Sequence, residues 1–224
     1  KVVDPAHDIS NQAFPFMACG EVSVFGGTPA RLFRISFSGE LAYEIAVPTR
    51  YGDGMIRALM AAGEEFEAVP YGVEALGVMR IEKGHAAGNE LNGQTTAHQL
   101  GLGRMVSKKK DSIGSKASER EGMVQPDDLR LMGFQPVDRD AMLGAGAHFV
   151  TKGDTPSMDT DQGWMTSVAF SPSLGHSIGL GYLKRGGDRI GEVVLAHDPV
   201  RGRDIEVEVV SPHFLDPDGE RLRA

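Results

Sequence analysis

The sequence predicts an α+β protein: a mixed α/β region followed by a small antiparallel β-barrel. Three observations carry that expectation. Residues 31–105 alternate β-rich runs with stretches of helical periodicity. Residues 130–215 hold five or six short β-rich segments broken by Gly, Pro and Asp, the spacing of a small barrel or sandwich. Between them, residues 107–128 are mostly polar and read as an exposed connection.

The elements follow in order. Arg31-Leu32-Phe33-Arg34-Ile35-Ser36-Phe37 is rich in β-formers and predicts a strand, and Ser38-Gly39-Glu40 a turn. The next run, 41–47, alternates with period two. Leu41, Tyr43, Ile45 and Val47 share one face, Ala42, Glu44 and Ala46 the other, until Pro48 ends it. Asp53 is placed to cap a helix with an apolar stripe of Met55, Ile56, Leu59 and Met60, closed by Gly63. Pro70 opens a second helix, with Val73, Leu76 and Met79 on one face and Gly84 as its stop signal after Lys83. Residues 95–100 predict a short third helix. Strands of the second half fall near residues 131–136, 148–151, 163–169, 178–183, 192–197 and 205–209.

Composition narrows the function classes. The apolar fraction of 41% and the absence of long charge runs exclude a disordered chain. No run approaches the roughly 18 apolar residues that cross a membrane, and the N-terminal residues lack the apolar core of a signal peptide. A lone cysteine, Cys19, makes no internal disulfide and fits a reducing compartment, so a cytoplasmic location is expected. The net charge of −8 argues against a nucleic-acid partner, because phosphate binding needs a basic footprint.

Glu44 is the most informative residue of the first half. Glu is a poor strand former, and its flanking face-mates are small. Either that face is solvated, or Glu44 is a binding carboxylate on a pocket floor. An ionised carboxylate only accepts hydrogen bonds and can take two parallel N–H donors from one planar edge. Glu40 has the same parity but lies at the turn. Arg80 and Glu82 do not face each other on a helix, so they read as helix-end charge. Asn89-Glu90-Leu91 reads as a site rim or a plain turn. None of the seven histidines pairs with another at i, i+4, so no metal site is expected. Dinucleotide and P-loop motifs are absent. Lys108-Lys109-Lys110 reads as a solvated loop or an attractor of anions. Arg201-Gly202-Arg203 reads as a hairpin tip, or as a guanidinium at a barrel rim that pairs with a ligand carboxylate.

Three motifs carry a family resemblance. Gly39-Glu40-Leu41-Ala42-Tyr43-Glu44-Ile45 resembles the G-E-x-x-[FYV]-E-[IL] strand of the aminomethyltransferase family, the T-protein of the glycine cleavage system. The stretch Gly72-Val73-Glu74-Ala75-Leu76-Gly77-Val78-Met79-Arg80-Ile81-Glu82-Lys83-Gly84 is similar to that family's G-L-x-x-R-D-x-L-R-x-E-x-G helix. Gly163-Trp164-Met165-Thr166-Ser167 with Ser171-Pro172-Ser173-Leu174 resembles the G-x-V-T-S-G-x-x-S-P-x-L hairpin of its C-terminal barrel. Within the superfamily, residues 74–85 and 87–93 most resemble the C-terminal part of the alpha subunits of heterotetrameric sarcosine oxidases. Dimethylglycine-type dehydrogenases match that stretch less well.

The resemblance implies that residues 1–116 are the C-terminal half of a mixed α/β folate-binding domain and residues 117–224 a C-terminal β-barrel domain. Its N-terminal half is missing: residues 1–30 are too few to supply it, so a C-terminal fragment is expected. The implied ligand is tetrahydrofolate, with FAD, FMN and NAD only in other parts of the parent complex. Glu44 occupies the position that grips the pterin, whose exocyclic amino group and ring N–H form a two-donor edge. Glu40 and Arg201 are carried over as further folate contacts, and no catalytic residue is assigned. The implied chemistry is oxidation of sarcosine at a flavin elsewhere, with capture of the one-carbon unit as 5,10-methylenetetrahydrofolate and release of glycine. Implied partners are folate and flavin-bearing subunits of a hetero-oligomer. One departure bears on this: the helix motif carries Leu76 where the family has an Arg. A non-catalytic scaffold that docks the flavin-bearing subunit is the alternative, or a module of a related aminomethyltransferase or dimethylglycine-type dehydrogenase.

Overall fold

The computed structural model describes residues 1–107, 109–125 and 127–224. The chain forms two compact units, Lys1–Gly77 with Asp216–Ala224, and Val78–Leu215.

The first unit is built on a three-stranded antiparallel sheet of β1 (Cys19–Val24), β2 (Thr28–Phe33) and β3 (Glu44–Ala46), in that order. The β1–β2 hairpin turns at Phe25-Gly26-Gly27, all three at positive φ, which the two glycines adopt without a Cβ penalty. Val22, Val24, Ala30 and Leu32 alternate onto one face and bury against Met55 of α1 (Gly52–Gly63). Val2, Val3, Ile9 and Phe14 from the leading segment pack on the same core.

Several expectations are corrected here. The strand expected at 31–37 starts at Thr28 and stops at Phe33. Arg34 then turns its side chain inward, fully buried, and donates to the carbonyls of Leu222 at 3.1 Å and Ala224 at 2.7 Å. Its guanidinium also lies 5.0 Å from the centre of the Tyr43 ring. The run 41–47 is strand only at Glu44–Ala46, an edge with a single neighbour. Asp53 is not the cap of α1; Tyr51 holds that position, and Asp53 pairs with Arg57 one turn on, at 2.9 Å. Of the expected stripe only Met55 is buried, while Ile56 and Leu59 are 53% and 41% exposed. Strand β1 lies ahead of the first strand that the sequence predicts.

Helix α2 (Val73–Lys83) ends where expected, at Gly84 with φ +76. A Cβ there would sit 2.3 Å from the carbonyl of Pro212, so the stop needs glycine twice over. Residues 95–100 form turns, not a helix. Thr96 and Gln99 exchange side-chain bonds with each other's backbone N–H, at 2.9 and 3.2 Å, and so compete with the helical ladder. Among its described residues the connection 107–128 is largely exposed and holds a short helix, α3 (Ser115–Ser118), and a 3-10 turn at Glu121–Met123; Lys108 and Pro126 lie outside the described residues.

The second half resolves to a closed barrel rather than a sandwich. Its strands are β4 (Leu129–Pro136), β5 (His148–Thr151), β6 (Gly163–Ser171), β7 (His176–Lys184), β8 (Val193–Asp198) and β9 (Arg203–Val210). They run antiparallel in the order β4-β7-β6-β5-β8-β9, and β4 pairs with β9 to close the wall. Closure removes every free edge. Phe134, Phe149, Met165, Leu183, Val194 and Val207 fill the interior, with Phe134 and Phe149 stacked at 4.1 Å. A short helix, α4 (Glu220–Arg223), follows in the first unit. Among the described residues no helix is long and apolar enough to cross a membrane.

Candidate functional site

Residues paired across an antiparallel sheet share a face. The register Cys19↔Phe33 and Phe33↔Glu44 therefore sets Cys19, Phe33 and Glu44 in one row. Glu21, Arg31 and Ala46 form the next row on the same side. The apolar core lies behind the opposite face, so this side is open: Glu44, Ala46, Arg31 and Glu21 are exposed and Phe33 is half-buried. Among the described residues Glu44 has no hydrogen-bond or ion-pair partner. Its carboxylate is thus free to accept, with the small Ala46 on one flank and an aromatic ring beside it. A planar heterocycle with two adjacent N–H groups suits that arrangement, the donors meeting the carboxylate and the ring meeting Phe33. The apolar groove of this unit, about 440 Å³, belongs to the other face, where Leu32 and Ile45 line it with Val2, Ile9, Tyr43 and Phe66. Where the sequence suggested a pocket floor under Glu44, the chain has an open sheet face.

Glu40 is exposed and accepts from Arg221 Nη1 at 2.9 Å. Arg201 belongs to the barrel unit, in the turn from β8 to β9 that the sequence marked as a hairpin tip. Its Nη1 donates to Asp198 Oδ2 at 2.8 Å and to the Ala145 carbonyl at 3.2 Å, and its backbone N–H to Asp198 Oδ1 at 3.0 Å. Burial alone would raise the pKa of Asp198. The bonds from Arg201 and the charges of Arg201 and Arg203 outweigh it and hold the carboxyl below its usual range. Gly144 permits the cluster, since a Cβ there would lie 2.4 Å from Asp198 Oδ2. Arg201 is therefore anchored from within while half its side chain stays open to a ligand.

The barrel unit also holds a polar network that the sequence did not reveal. Glu90, placed above at a rim or turn, is 0% exposed. Its Oε1 accepts from the hydroxyls of Thr166 and of Ser167, the latter at 2.6 Å. Its Oε2 accepts from the Ala87 N–H and from Arg80 Nη1, each at 2.9 Å. Arg80 Nη2 also donates to Ser167 Oγ at 2.7 Å, and the Tyr182 hydroxyl to the Glu90 carbonyl at 2.7 Å. Two residues further along α2, Glu82 is buried and accepts from the Ser171 hydroxyl. The R-x-E motif of α2 thus meets the T-S…S motif of β6 twice, Arg80 at Ser167 and Glu82 at Ser171. The partner of Arg80 is Glu90, ten residues on. Spacing within a helix carries no information about a carboxylate returning from a loop. Burial alone would raise the pKa of Glu90, but the Ser167 and Thr166 hydroxyls, the Ala87 amide and the Arg80 charge together hold it below the ordinary carboxylate range. Burial pushes the Tyr182 hydroxyl up, and the charge of Glu90 adds to it. Every acceptor site of Glu90 is taken, so the network holds structure and offers no free group for chemistry.

Comparisons with known proteins agree with this architecture. Residues 1–110 match the GCVT N-terminal domain family, and residues 130–216 match the glycine cleavage T-protein C-terminal barrel domain family. The chain is 46% identical over 224 residues to sarcosine oxidase subunit alpha of Rhizobium meliloti (strain 1021), covering 99% of this chain and 22% of that protein. To the same subunit of Corynebacterium sp. (strain P-1) it is 41% identical, covering 96% of this chain and 22% of that one. To the aminomethyltransferase of Halothermothrix orenii it is 32% identical, covering 84% of this chain and 51% of that protein. The crystal structure of glycine cleavage system aminomethyltransferase T from Bartonella henselae shares the fold, with a TM-score of 0.70 at 22% identity over 91% of this chain and 54% of that one. The chain thus spans 22% of the length of these oxidase subunits and about half that of the aminomethyltransferases.

Proposed function

The chain belongs to the glycine cleavage T-protein (aminomethyltransferase) family, and from that premise we propose that it is the tetrahydrofolate-binding, one-carbon-transfer module of a sarcosine oxidase alpha subunit. In this reading residues 1–116 contribute to the folate domain and residues 117–224 form the barrel that accompanies it. Glu44 accepts the exocyclic amino and ring N–H groups of the pterin, with Phe33 against its face. Glu40 and Arg201 supply further contacts, Arg201 as the cation for a ligand carboxylate. The observation that supports the reading most is the partnerless carboxylate of Glu44 on the open face of a sheet whose other side is packed.

The reaction follows from the chemistry of the two reactants. In this reading sarcosine would reach this chain as its imine, after a two-electron oxidation that a flavin bound elsewhere in the assembly would supply. One folate nitrogen would attack the methylene carbon of that imine, the second would close onto the same carbon as its remaining bond to the glycine nitrogen breaks, and the two displaced folate N–H protons would pass to the departing glycine amine and solvent, giving 5,10-methylenetetrahydrofolate and glycine. The contribution of this chain is binding and orientation. Holding two reactants in register supplies several kcal/mol of such a barrier. Folate and flavin-bearing subunits are its partners, in the cytoplasm. Titration calorimetry with folinic acid on the full-length protein tests this. Glu44→Ala weakens binding at least tenfold and leaves sarcosine-dependent peroxide production intact; equal affinities defeat the assignment.

A second reading, a docking module for a flavin-bearing subunit, is favoured by one observation. Phe66, Val69, Tyr71 and Val73 expose their apolar side chains along one short segment. Phe66→Ser with Tyr71→Ser abolishes co-elution with that subunit on a sizing column if the segment docks, and leaves folinic acid binding unchanged.

A further inference from the structure

The barrel register brings together two histidines that are far apart in the chain. Strand β5 pairs with β8 so that His148 lies directly opposite His197, and β8 pairs with β9 so that His197 lies opposite Asp204. Their neighbours Phe149 and Ala196 point into the core, so both imidazoles stand on the outer side of the wall. Directly opposed residues hold their Cβ atoms about 5 Å apart.

Each imidazole is oriented by a carboxylate. His148 Nδ1 lies 3.1 Å from Asp161 Oδ1, and His197 Nδ1 lies 2.6 Å from Asp204 Oδ1. A carboxylate only accepts, so in each neutral ring Nδ1 carries the hydrogen and Nε2 keeps its lone pair. The two carboxylates flank the pair from opposite sides: Asp204 on β9 beyond His197, Asp161 just before β6 beyond His148. Because each Nδ1 is engaged by its carboxylate, Nε2 is the nitrogen that each ring has left for a ligand. Among the described residues neither Nε2 has a hydrogen-bond partner. A cavity of about 240 Å³ opens at that place, shared by both imidazoles and walled by Pro156, Met158 and Pro199.

Carboxylate, imidazole and open Nε2, in that order, is the arrangement that prepares a histidine for a metal ion. We propose that His148 and His197 form a binding site for an imidazole-preferring divalent transition cation, of the Cu²⁺, Ni²⁺ and Zn²⁺ class. Among the described residues no group of three or more His, Cys, Asp or Glu side chains gathers as a ligand set, so the protein supplies two nitrogens and water completes the coordination. Spacing along the sequence could not show this site, because the pairing of β5 with β8 makes it.

Calorimetric titration of the full-length protein with CuCl₂, ZnCl₂ and MgCl₂ tests it, together with electron paramagnetic resonance of the Cu²⁺ complex. Cu²⁺ binds more tightly than Zn²⁺, and Mg²⁺ does not compete. The Cu²⁺ spectrum shows two nitrogen ligands, falling to one in His148→Ala and in His197→Ala, each with at least a tenfold loss of affinity. Asp204→Ala keeps both nitrogens and weakens binding about tenfold, by the loss of its orienting bond. An unchanged nitrogen count in either histidine variant, or Cu²⁺ affinity retained in the double variant, overturns the proposal.

Discussion

Two carboxylates of this chain live under opposite regimes. Glu90, in the barrel unit, is fully buried and accepts hydrogen bonds from two hydroxyls, a backbone amide and a guanidinium. Glu44, in the sheet unit, stands on an open face with no partner among the described residues. A buried carboxylate survives only when every lone pair is matched, and then it holds structure. A carboxylate left unmatched at the surface costs the fold little and keeps its acceptors for a ligand. The two units repeat the contrast at larger scale. The barrel closes on itself and leaves no edge, whereas the sheet ends in a three-residue edge strand with one face bare.

Four outcomes break or sharpen that comparison, the largest first. Glu90→Ala strands the Arg80 charge in a buried setting and destabilises the barrel by about 3–5 kcal/mol. The chain has one tryptophan, Trp164, on β6, so its fluorescence during denaturant unfolding reports this unit directly. Gly163→Ala comes next. Gly163 has φ +138, and a Cβ there would lie 2.0 Å from the Tyr182 carbonyl, so the same assay shows a loss of about 1–3 kcal/mol.

The third outcome is a pH dependence. The Glu90 carboxyl titrates lower in the folded barrel than in the unfolded chain. Its contribution is therefore fully present above the unfolded value of about 4.3, and is lost as pH falls through the lower folded value. The Trp164-reported unfolding midpoint holds down to about pH 5 and drops below pH 4, and Glu90→Gln flattens that drop. The smallest effect is that of Glu44→Ala, which leaves the unfolding midpoint where it was. Equal losses from Glu90→Ala and Glu44→Ala would erase the contrast.

How much of this was legible in the sequence depended on where the information sits. The barrel strands were readable because each is a short β-rich segment bounded by turn residues; 148–151 matches β5 residue for residue, and the others differ at their ends. The stop at Gly84 was readable for the same reason, since a local conformational demand leaves a local mark. Arg34 broke the expected strand because its long side chain reaches carbonyls at the far end of the chain, a contact no window of sequence contains. Ile56 and Leu59 kept helical spacing yet stayed exposed: only Met55 joins the buried core of the sheet, and Leu59 lines the open apolar groove beside it. The Glu44 parity was correct, and so was the small Ala46 beside it on its face. The Phe33 neighbour came from strand pairing. Glu90 and the His148–His197 pair were invisible for one reason: their partners arrive through tertiary register.

The central claim is that the Glu44 carboxylate holds the two-donor edge of a reduced pterin. A double cycle measures it most directly, pairing wild type and Glu44→Ala in the full-length protein with folinic acid and its 2-desamino analogue. The predicted result is strong coupling: removing the amino group weakens binding to wild type at least tenfold and changes binding to Glu44→Ala hardly at all. Equal losses from the amino group in both proteins would mean that Glu44 does not touch the pterin, and would contradict the account.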